Sequence, residues 1–172
     1  MLIRKMIKAD AAAYRELRLR ALQLHPEAYG SSYEESVQRD VVYFSERIPE
    51  PESDDAIFVA EEAGQLVGMV VFMRDTPQKM KHIGNIYGVY IDAQVRGRGI
   101  GRLLMQHTID HARQVSGLRQ LALRVATTNT PALKLYESLG FKTWGTEPDV
   151  LFVNGRFYDE HGMTLFLNKG DT

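Results

Sequence analysis

The run Gln94-Val95-Arg96-Gly97-Arg98-Gly99-Ile100-Gly101-Arg102 constrains this chain more than any other stretch. It follows an apolar, β-branched segment, Ile86-Tyr87-Gly88-Val89-Tyr90-Ile91, and it opens an amphipathic helical pattern. Three alternating glycines strip side chains from the turn, so successive backbone N–H groups can approach an anion closely. The same groups sit where a helix presents unpaired N–H donors and the positive end of its dipole. Arg96, Arg98 and Arg102 add positive charge around that nest. A strand, a glycine turn and a helix start, in that order, predict a pyrophosphate site. The dipole supplies only about 0.3–1 kcal/mol, up to about 2 when partly buried, so affinity there must rest on directed hydrogen bonds and arginine contacts.

The spacing excludes two common alternatives. A dinucleotide fingerprint requires Gly-x-Gly-x-x-Gly, whereas here the third glycine comes one residue early and Arg102 fills its place. A nucleotide P-loop requires Gly-x4-Gly-Lys-Ser/Thr, and the chain has no such run. The segment resembles the acetyl-CoA-binding motif of the GNAT superfamily of N-acetyltransferases, Gln/Arg-x-x-Gly-x-Gly/Ala, read here as Gln94-x-x-Gly97-x-Gly99 after Val89-Tyr90-Ile91-Asp92. Acetyl-CoA as co-substrate is what the resemblance implies. It assigns coenzyme contacts to Val89, Tyr90, Ile91, Arg96, Gly97, Arg98, Gly99, Ile100, Gly101 and Arg102.

A second segment, Asn129-Thr130-Pro131-Ala132-Leu133-Lys134-Leu135-Tyr136-Glu137-Ser138-Leu139-Gly140-Phe141, reads locally as a helix. Thr130 is its expected N-cap, Pro131 its first position, and Gly140 lies past its end. A tyrosine on such a helix is ordinarily a core residue. This one belongs to a pattern similar to the other GNAT signature, Asn-x-x-Ala-x-x-x-Tyr-x-x-x-Gly-Phe, matched by Asn129, Ala132, Tyr136, Gly140 and Phe141. By that resemblance Asn129 contacts the coenzyme and Tyr136 is the general acid near the thioester sulfur.

The remaining pattern fits one domain over residues 1–172. Leu2 to Ile7 reads as a strand. Asp10 is an expected N-cap for a helix with Ala13, Leu17, Ala21 and Leu24 at helical spacing until Pro26. Tyr29 to Ser36 is loop-like, and Asp40 to Arg47 a short helix. Strands follow at Ala56–Glu61 and Leu66–Met73 around an Ala63-Gly64-Gln65 hairpin, then at Ile83–Ile91. The helix after the glycine turn carries Ile100, Leu103, Leu104, Thr108 and Ala112 on one stripe. Leu118–Val125 alternates as a strand, and Phe141–Trp144 is another. Asn154-Gly155 then makes a hairpin turn between Val150–Val153 and a strand ending at Leu167. This order predicts an α/β (α+β) fold: a mixed, mostly antiparallel sheet of six to seven strands with helices on both faces. The GNAT resemblance adds a splayed strand pair at the coenzyme site, and Gly88 favours a β-bulge there. Phe72, Tyr87, Tyr90 and Trp144 are expected in the core.

Composition narrows the partners. The 172 residues are 44% hydrophobic and 25% charged, ordinary for a globular domain. With no cysteine, disulfides and a cysteinyl acyl intermediate are impossible, which accords with the direct transfer in a ternary complex expected on the GNAT resemblance. No apolar run approaches a membrane span, and Met1 leads into Leu2-Ile3-Arg4-Lys5 without a signal-peptide core, so a cytoplasmic protein without membrane contact is expected. A net charge of -1 argues against nucleic-acid binding. His107 and His111 have the i,i+4 spacing of a metal pair but lack the Glu and third ligand of a zinc site, so no metal is expected. A monomer or homodimer is compatible with all of this.

The chemistry fixes what remains to be found. An alkylamine of pKa ~10.4 costs roughly 4.6 kcal/mol to deprotonate at pH 7, an α-amino group near ~8 about 1.4 kcal/mol, so a base matters most for the former. Many relatives in the resemblance carry a carboxylate on the strand before the coenzyme motif, and His82-Ile83-Gly84-Asn85-Ile86-Tyr87-Gly88 has none. Glu34, Glu35 and Glu160 are the candidates for base or acceptor contact. A module that binds CoA without turnover is the other class this absence leaves open. Between Glu27 and Asp55 nine acids face only Arg39 and Arg47, a net -7 against +6 on the rest. That segment is either a solvated acidic surface or a cation-attracting site. The latter predicts, within the class of small-molecule or peptide amines, a small cationic amine or a lysine-like side chain over an acidic or apolar acceptor.

Overall fold

The strand Ala56–Glu62 is buried from Ala56 through Ala60, on both of its faces. A strand apolar on both sides requires a layer of structure against each. The computed structural model, which describes residues 1–167, supplies both layers. In chain order the elements are β1 (Leu2–Lys5), α1 (Ala11–Leu24), α2 (Tyr33–Val37), α3 (Val41–Glu46), β2 (Ala56–Glu62), β3 (Gln65–Arg74), β4 (Ile83–Ile91), α4 (Ile100–Gln114), β5 (Gln120–Ala126), α5 (Thr130–Ser138), β6 (Lys142–Val153) and β7 (Arg156–Phe166). They form a seven-stranded sheet in the order β1-β2-β3-β4-β5-β7-β6. Only β4 and β5 pair in parallel, so the sheet is mixed and mostly antiparallel, as expected.

Alternation on β2 divides the core. Ala56, Phe58 and Ala60 meet Ile100, Leu104, Met105 and Ile109 of α4 on one face. Ile57 and Val59 meet Tyr14, Leu17 and Ala21 of α1 and Phe44 of α3 on the other. His107 and His111 stack edge-on against Phe58, with centroids 4.9 and 5.2 Å away, and so serve as packing partners of the sheet. Among the described residues no helix is long and apolar enough to cross a membrane.

Several local expectations differ from the structure for tertiary reasons. The Tyr29–Ser36 stretch contains the start of α2, because Ser32 Oγ accepts from the Glu35 N–H at 3.1 Å and nucleates a turn. Asp10 does not cap α1; its carboxylate turns back to Arg4 at 2.7 and 2.9 Å and to the Ile7 N–H at 2.9 Å. The buried stripe of α1 runs through Tyr14, Leu17 and Ala21, leaving Ala13 and Leu24 exposed. On α4 Leu103 is exposed and Met105 and Ile109 are buried instead. β6 is one irregular strand where two were expected, with register shifts between Thr143 and Gly145 and between Glu147 and Leu151. Phe72 and Tyr90 are buried as expected, but Trp144 is 68% exposed and Tyr87 54%. Trp144 sits on the edge strand with its indole over Gly162, where β7 offers no side chain.

Arg4 bridges Asp10 and Glu61, at 2.7 and 2.8 Å, and ties the end of β1 to the start of α1 and to β2. The guanidinium holds the Asp10 carboxyl below its usual range, with the Ile7 N–H adding to the effect. A lowered folded-state pKa contributes stability that is present above the unfolded pKa and is lost as pH falls through the folded one. Asp10→Asn is therefore expected to cost about 1–2 kcal/mol at neutral pH. The difference between variant and parent should vanish on acidification below the carboxylate range, as measured by chemical denaturation across pH.

Candidate active site

β4 and β5 pair only over Ile83–Asn85 and Gln120–Ala122 and then diverge. From Ile86 to Ile91, β4 keeps β3 as a neighbour but loses β5, which opens a fork inside the sheet. The register between β3 and β4 shifts by one residue between Met69 and Val71, opposite Gly88 and Val89. Gly88 occupies φ +59°, a conformation costly for a side-chain-bearing residue, so the bulge sits at the glycine that favours it. The bulge and the divergence together turn Val89, Tyr90 and Ile91 toward a cavity of about 410 Å3.

The glycine turn forms the far end of that cavity. Gly97 and Gly99 adopt φ +75° and +76°, and Gly99 is the residue that precedes the first turn of α4. A Cβ at either would meet nothing within 4 Å, so their outer faces are open. Among the described residues the N–H groups of Gly97, Arg98 and Gly99 have no hydrogen-bond acceptor. Gly101 differs: a Cβ there would lie 3.3 Å from Leu135 Cδ2, so this glycine lets α4 approach α5. The arginines divide. Arg96 lines the cavity while bonding the Ile91 carbonyl at 3.0 Å and His25 at 2.8 Å, and Arg102 lines it while reaching Ser138 Oγ at 2.8 Å. Arg98 is drawn off into a two-pronged ion pair with Glu62, at 2.5 and 2.9 Å, and does not line the cavity.

α5 closes the fork from the side of β5. Asn129, not Thr130, is its N-cap: Oδ1 accepts from the Ala132 N–H at 3.3 Å, and Pro131 follows within the first turn. Tyr136 lies two turns further on, 6% exposed, against Phe141. Burial pushes its hydroxyl well above the ordinary tyrosine range, and the nearby Tyr29 adds to the shift. Asn129 and Tyr136 also line a second cavity, of about 530 Å3, on the other side of Val89.

Of the three carboxylate candidates, only Glu160 lines this second cavity. Desolvation raises its pKa, opposed by Arg124 and helped by Glu147, while Arg124 and Glu147 pair with each other. Glu34 lines an adjoining cavity that shares Tyr29, Gly30, Ser31, Val150 and Leu151 with the second one, and Glu35 lies exposed on α2. The acids between Glu27 and Asp55 are scattered. Glu50 pairs with Lys8, Asp54 with Arg74, and Asp40 caps α3, and none of the nine lines either cavity of the fork. The acidic segment expected from the sequence to act together therefore reaches the fork only at its margin, through Glu34 in the adjoining cavity.

Tyr29 escapes sequence reasoning. It sits in the loop between α1 and α2, yet its hydroxyl donates to the Val89 carbonyl at 3.1 Å, and it lines both cavities. Burial pushes that hydroxyl up to about 12. Only its being an aromatic in an otherwise polar loop could have signalled it.

A sheet forked at its parallel pair, with a glycine turn at one end and a buried tyrosine between two cavities, defines an acyl-CoA-type transferase fold. The family described as the Acetyltransferase (GNAT) family matches residues 18–141, and the chain belongs to it. It is 39% identical over 138 residues to the mycothiol acetyltransferase of Thermobispora bispora, covering 78% of this chain but 44% of that protein. It is 29% identical over 113 residues to the spermidine N(1)-acetyltransferase of Vibrio cholerae, 65% of this chain and 64% of that one. This chain thus spans under half the length of the mycothiol relative. The yncA protein of Salmonella typhimurium, solved with its cofactor acetyl-CoA, superposes with a TM-score of 0.80 at 26% identity, over 100% of this chain and 96% of the other.

The cap at Asn129 is separable from any ligand contact. Asn129→Ala should lower stability by about 1 kcal/mol through loss of the helix cap, whereas Asn129→Ser should hold most of it, as read by thermal melting of the unliganded chain.

Proposed function

We propose that this chain is an N-acetyltransferase that moves an acetyl group from acetyl-CoA directly onto a primary amine in a ternary complex. The observation that carries the reading is the position of Tyr136 between the two cavities of the fork. Acetyl-CoA fits the first cavity. Its pyrophosphate would meet the free N–H groups of Gly97, Arg98 and Gly99, and the cationic Arg96 and Arg102. Its pantetheine arm, which resembles a peptide chain, would run along the edge of Val89-Tyr90-Ile91 that β5 leaves free. The thioester then lies beside Tyr136, and the amine enters from the second cavity, beside Glu160.

In the reaction the amine nitrogen attacks the thioester carbonyl carbon, an N–C bond forms, and the C–S bond breaks. Glu160 accepts the proton released by the amine. Its raised pKa makes it a stronger base than a surface carboxylate. Tyr136, kept protonated by burial, donates a hydrogen bond to the departing thiolate, and the proton that Glu160 took from nitrogen ends on the thiol, directly or by way of solvent. An intact acid and a carboxylate in the same cavity favour turnover over a module that merely holds CoA. Relatives named for mycothiol and spermidine acetylation support a small-molecule acceptor.

Tyr136→Phe should lower turnover by about ten- to a thousandfold, with calorimetric binding of acetyl-CoA retained. Unchanged turnover would return Tyr136 to a packing role. Glu160→Gln should lower kcat/KM by about a hundredfold for alkylamines and less for amines of lower pKa. It should also remove the acid limb of the pH profile, because the parent loses its base as pH falls through the raised Glu160 pKa. A limb that survives the substitution assigns the base elsewhere.

A further inference from the structure

Arg18, on α1, has no hydrogen-bond acceptor and no ion-pair partner among the described residues, and its Nη1 is fully buried. The guanidinium is held by packing alone: it lies over the Tyr29 ring, 4.6 Å from the centroid, and beside Gly88 at the bulge. It lines the second cavity and also a side pocket of about 180 Å3 that continues past Ser31, Tyr87 and Gly88. The far wall of that pocket carries Arg47, stacked 3.4 Å over Tyr43 and likewise without an ion pair among the described residues. A partly buried guanidinium without an anion bears a desolvation cost that a fold does not retain for packing alone, since a methionine would fill the same space.

The second cavity therefore contains complementary charges. Glu160 is its one acidic lining residue, and the charge of Arg124 is taken up by Glu147. Arg18 is left to face whatever enters. Resting on the N-acetyltransferase reading, we propose that Arg18 is a specificity-determining residue that binds a carboxylate on the acceptor. The acceptor class is then a small amino acid-like molecule, its amine at Glu160 and Tyr136 and its carboxylate on Arg18, and not a polyamine. A planar guanidinium matches a carboxylate with two parallel N–H donors, which a cationic acceptor would meet only with repulsion.

The test follows thiol release from acetyl-CoA with free L-amino acids, the same compounds as carboxamides, short peptides and spermidine. The full chain, Arg18→Met and Arg18→Lys are compared. In the parent, kcat/KM for an acid should exceed that for its carboxamide by about tenfold or more, the worth of a charged hydrogen bond. Amidation lowers the amine's pKa and so favours the carboxamide chemically, which makes a preference for the acid the more telling result. Arg18→Met should bring the acid-to-carboxamide ratio of kcat/KM down to about one, with Arg18→Lys between. A parent that prefers carboxamides, spermidine or peptides whose carboxylate is remote overturns the proposal. So does Arg18→Met lowering acid and carboxamide alike. Calorimetric binding of N-acetyl amino acids in the presence of CoA gives a readout independent of turnover. If no amine is acetylated, the transferase reading fails. Binding that is present in the parent and lost in Arg18→Met still upholds the anion site, and absence of binding in the parent overturns it.

Discussion

Everything that can act in this molecule depends on the parting of β4 from β5 after Asn85 and Ala122. Inside a sheet, a strand normally spends its backbone groups on both neighbours, and buried groups left without partners are costly. Here one edge of β4 is open from Ile86 onward, within the molecule and not at its rim. The Tyr29 hydroxyl satisfies one of the exposed groups, the Val89 carbonyl. The remaining edge faces a cavity, ready to pair with an extended, amide-bearing chain. The single parallel pairing makes this possible: β4 must run out to the glycine turn and return through α4 before β5 can start, so the two strands are joined only at their first residues.

The turn and the fork are coupled mechanically. α4 begins at Gly99, packs through Ile100, Leu104 and Met105 onto the face of β2 and β3, and closes on α5 where Gly101 meets Leu135. The N–H groups at the turn are thus fixed relative to Tyr136 by core contacts rather than by loop conformation. Sites carried on rigid elements hold their geometry better than sites on loops. The acceptor side is built differently. Tyr29, Ser31 and Arg18 come from α1 and the segment after it; the Tyr29–Val89 hydrogen bond ties that segment to the sheet, and the Arg18–Tyr29 cation–π contact ties it to α1. On the proposed reading the coenzyme half is core-supported, and the acceptor half is the part whose substrate choice can vary.

Legibility in the sequence follows the same division. The glycine turn, the bulge at Gly88, the Asn154-Gly155 hairpin and the motif from Asn129 to Phe141 were readable because each is a local rule: positive φ, a cap, a helix end. Both hairpin-turn residues do adopt left-handed φ, Asn154 at +51° and Gly155 at +79°. What could not be read is what distant segments do to one another. Asp10 looked like a helix cap and is taken by Arg4, and Arg98 looked like an anion ligand and is taken by Glu62. The acidic segment seemed a single field, yet three of its nine acids turn to Lys8, Arg74 and the cap of α3. Tyr29 and Arg18 carry no motif, because their roles arise only when α1 is laid over the fork.

Burial of Tyr136 also bears on what kind of acid it can be. A free tyrosine, near about 10, already holds its proton more tightly than a thiol near about 8.5, and burial widens the gap. Complete transfer of the phenolic proton to the thiolate is therefore uphill, and the more so the deeper the side chain sits. A hydrogen bond donated to the sulfur as negative charge develops carries no such penalty, and in a site with little water it is stronger than in solution. The nitrogen, once bonded to the carbonyl carbon, is a far stronger acid than the starting amine. On the proposed transferase reading, the proton that ends on the thiol then derives from nitrogen, by way of Glu160 or solvent. Tyr136 would stabilise the charge in the interval, and the burial that raises its pKa favours that role because it keeps the donor protonated.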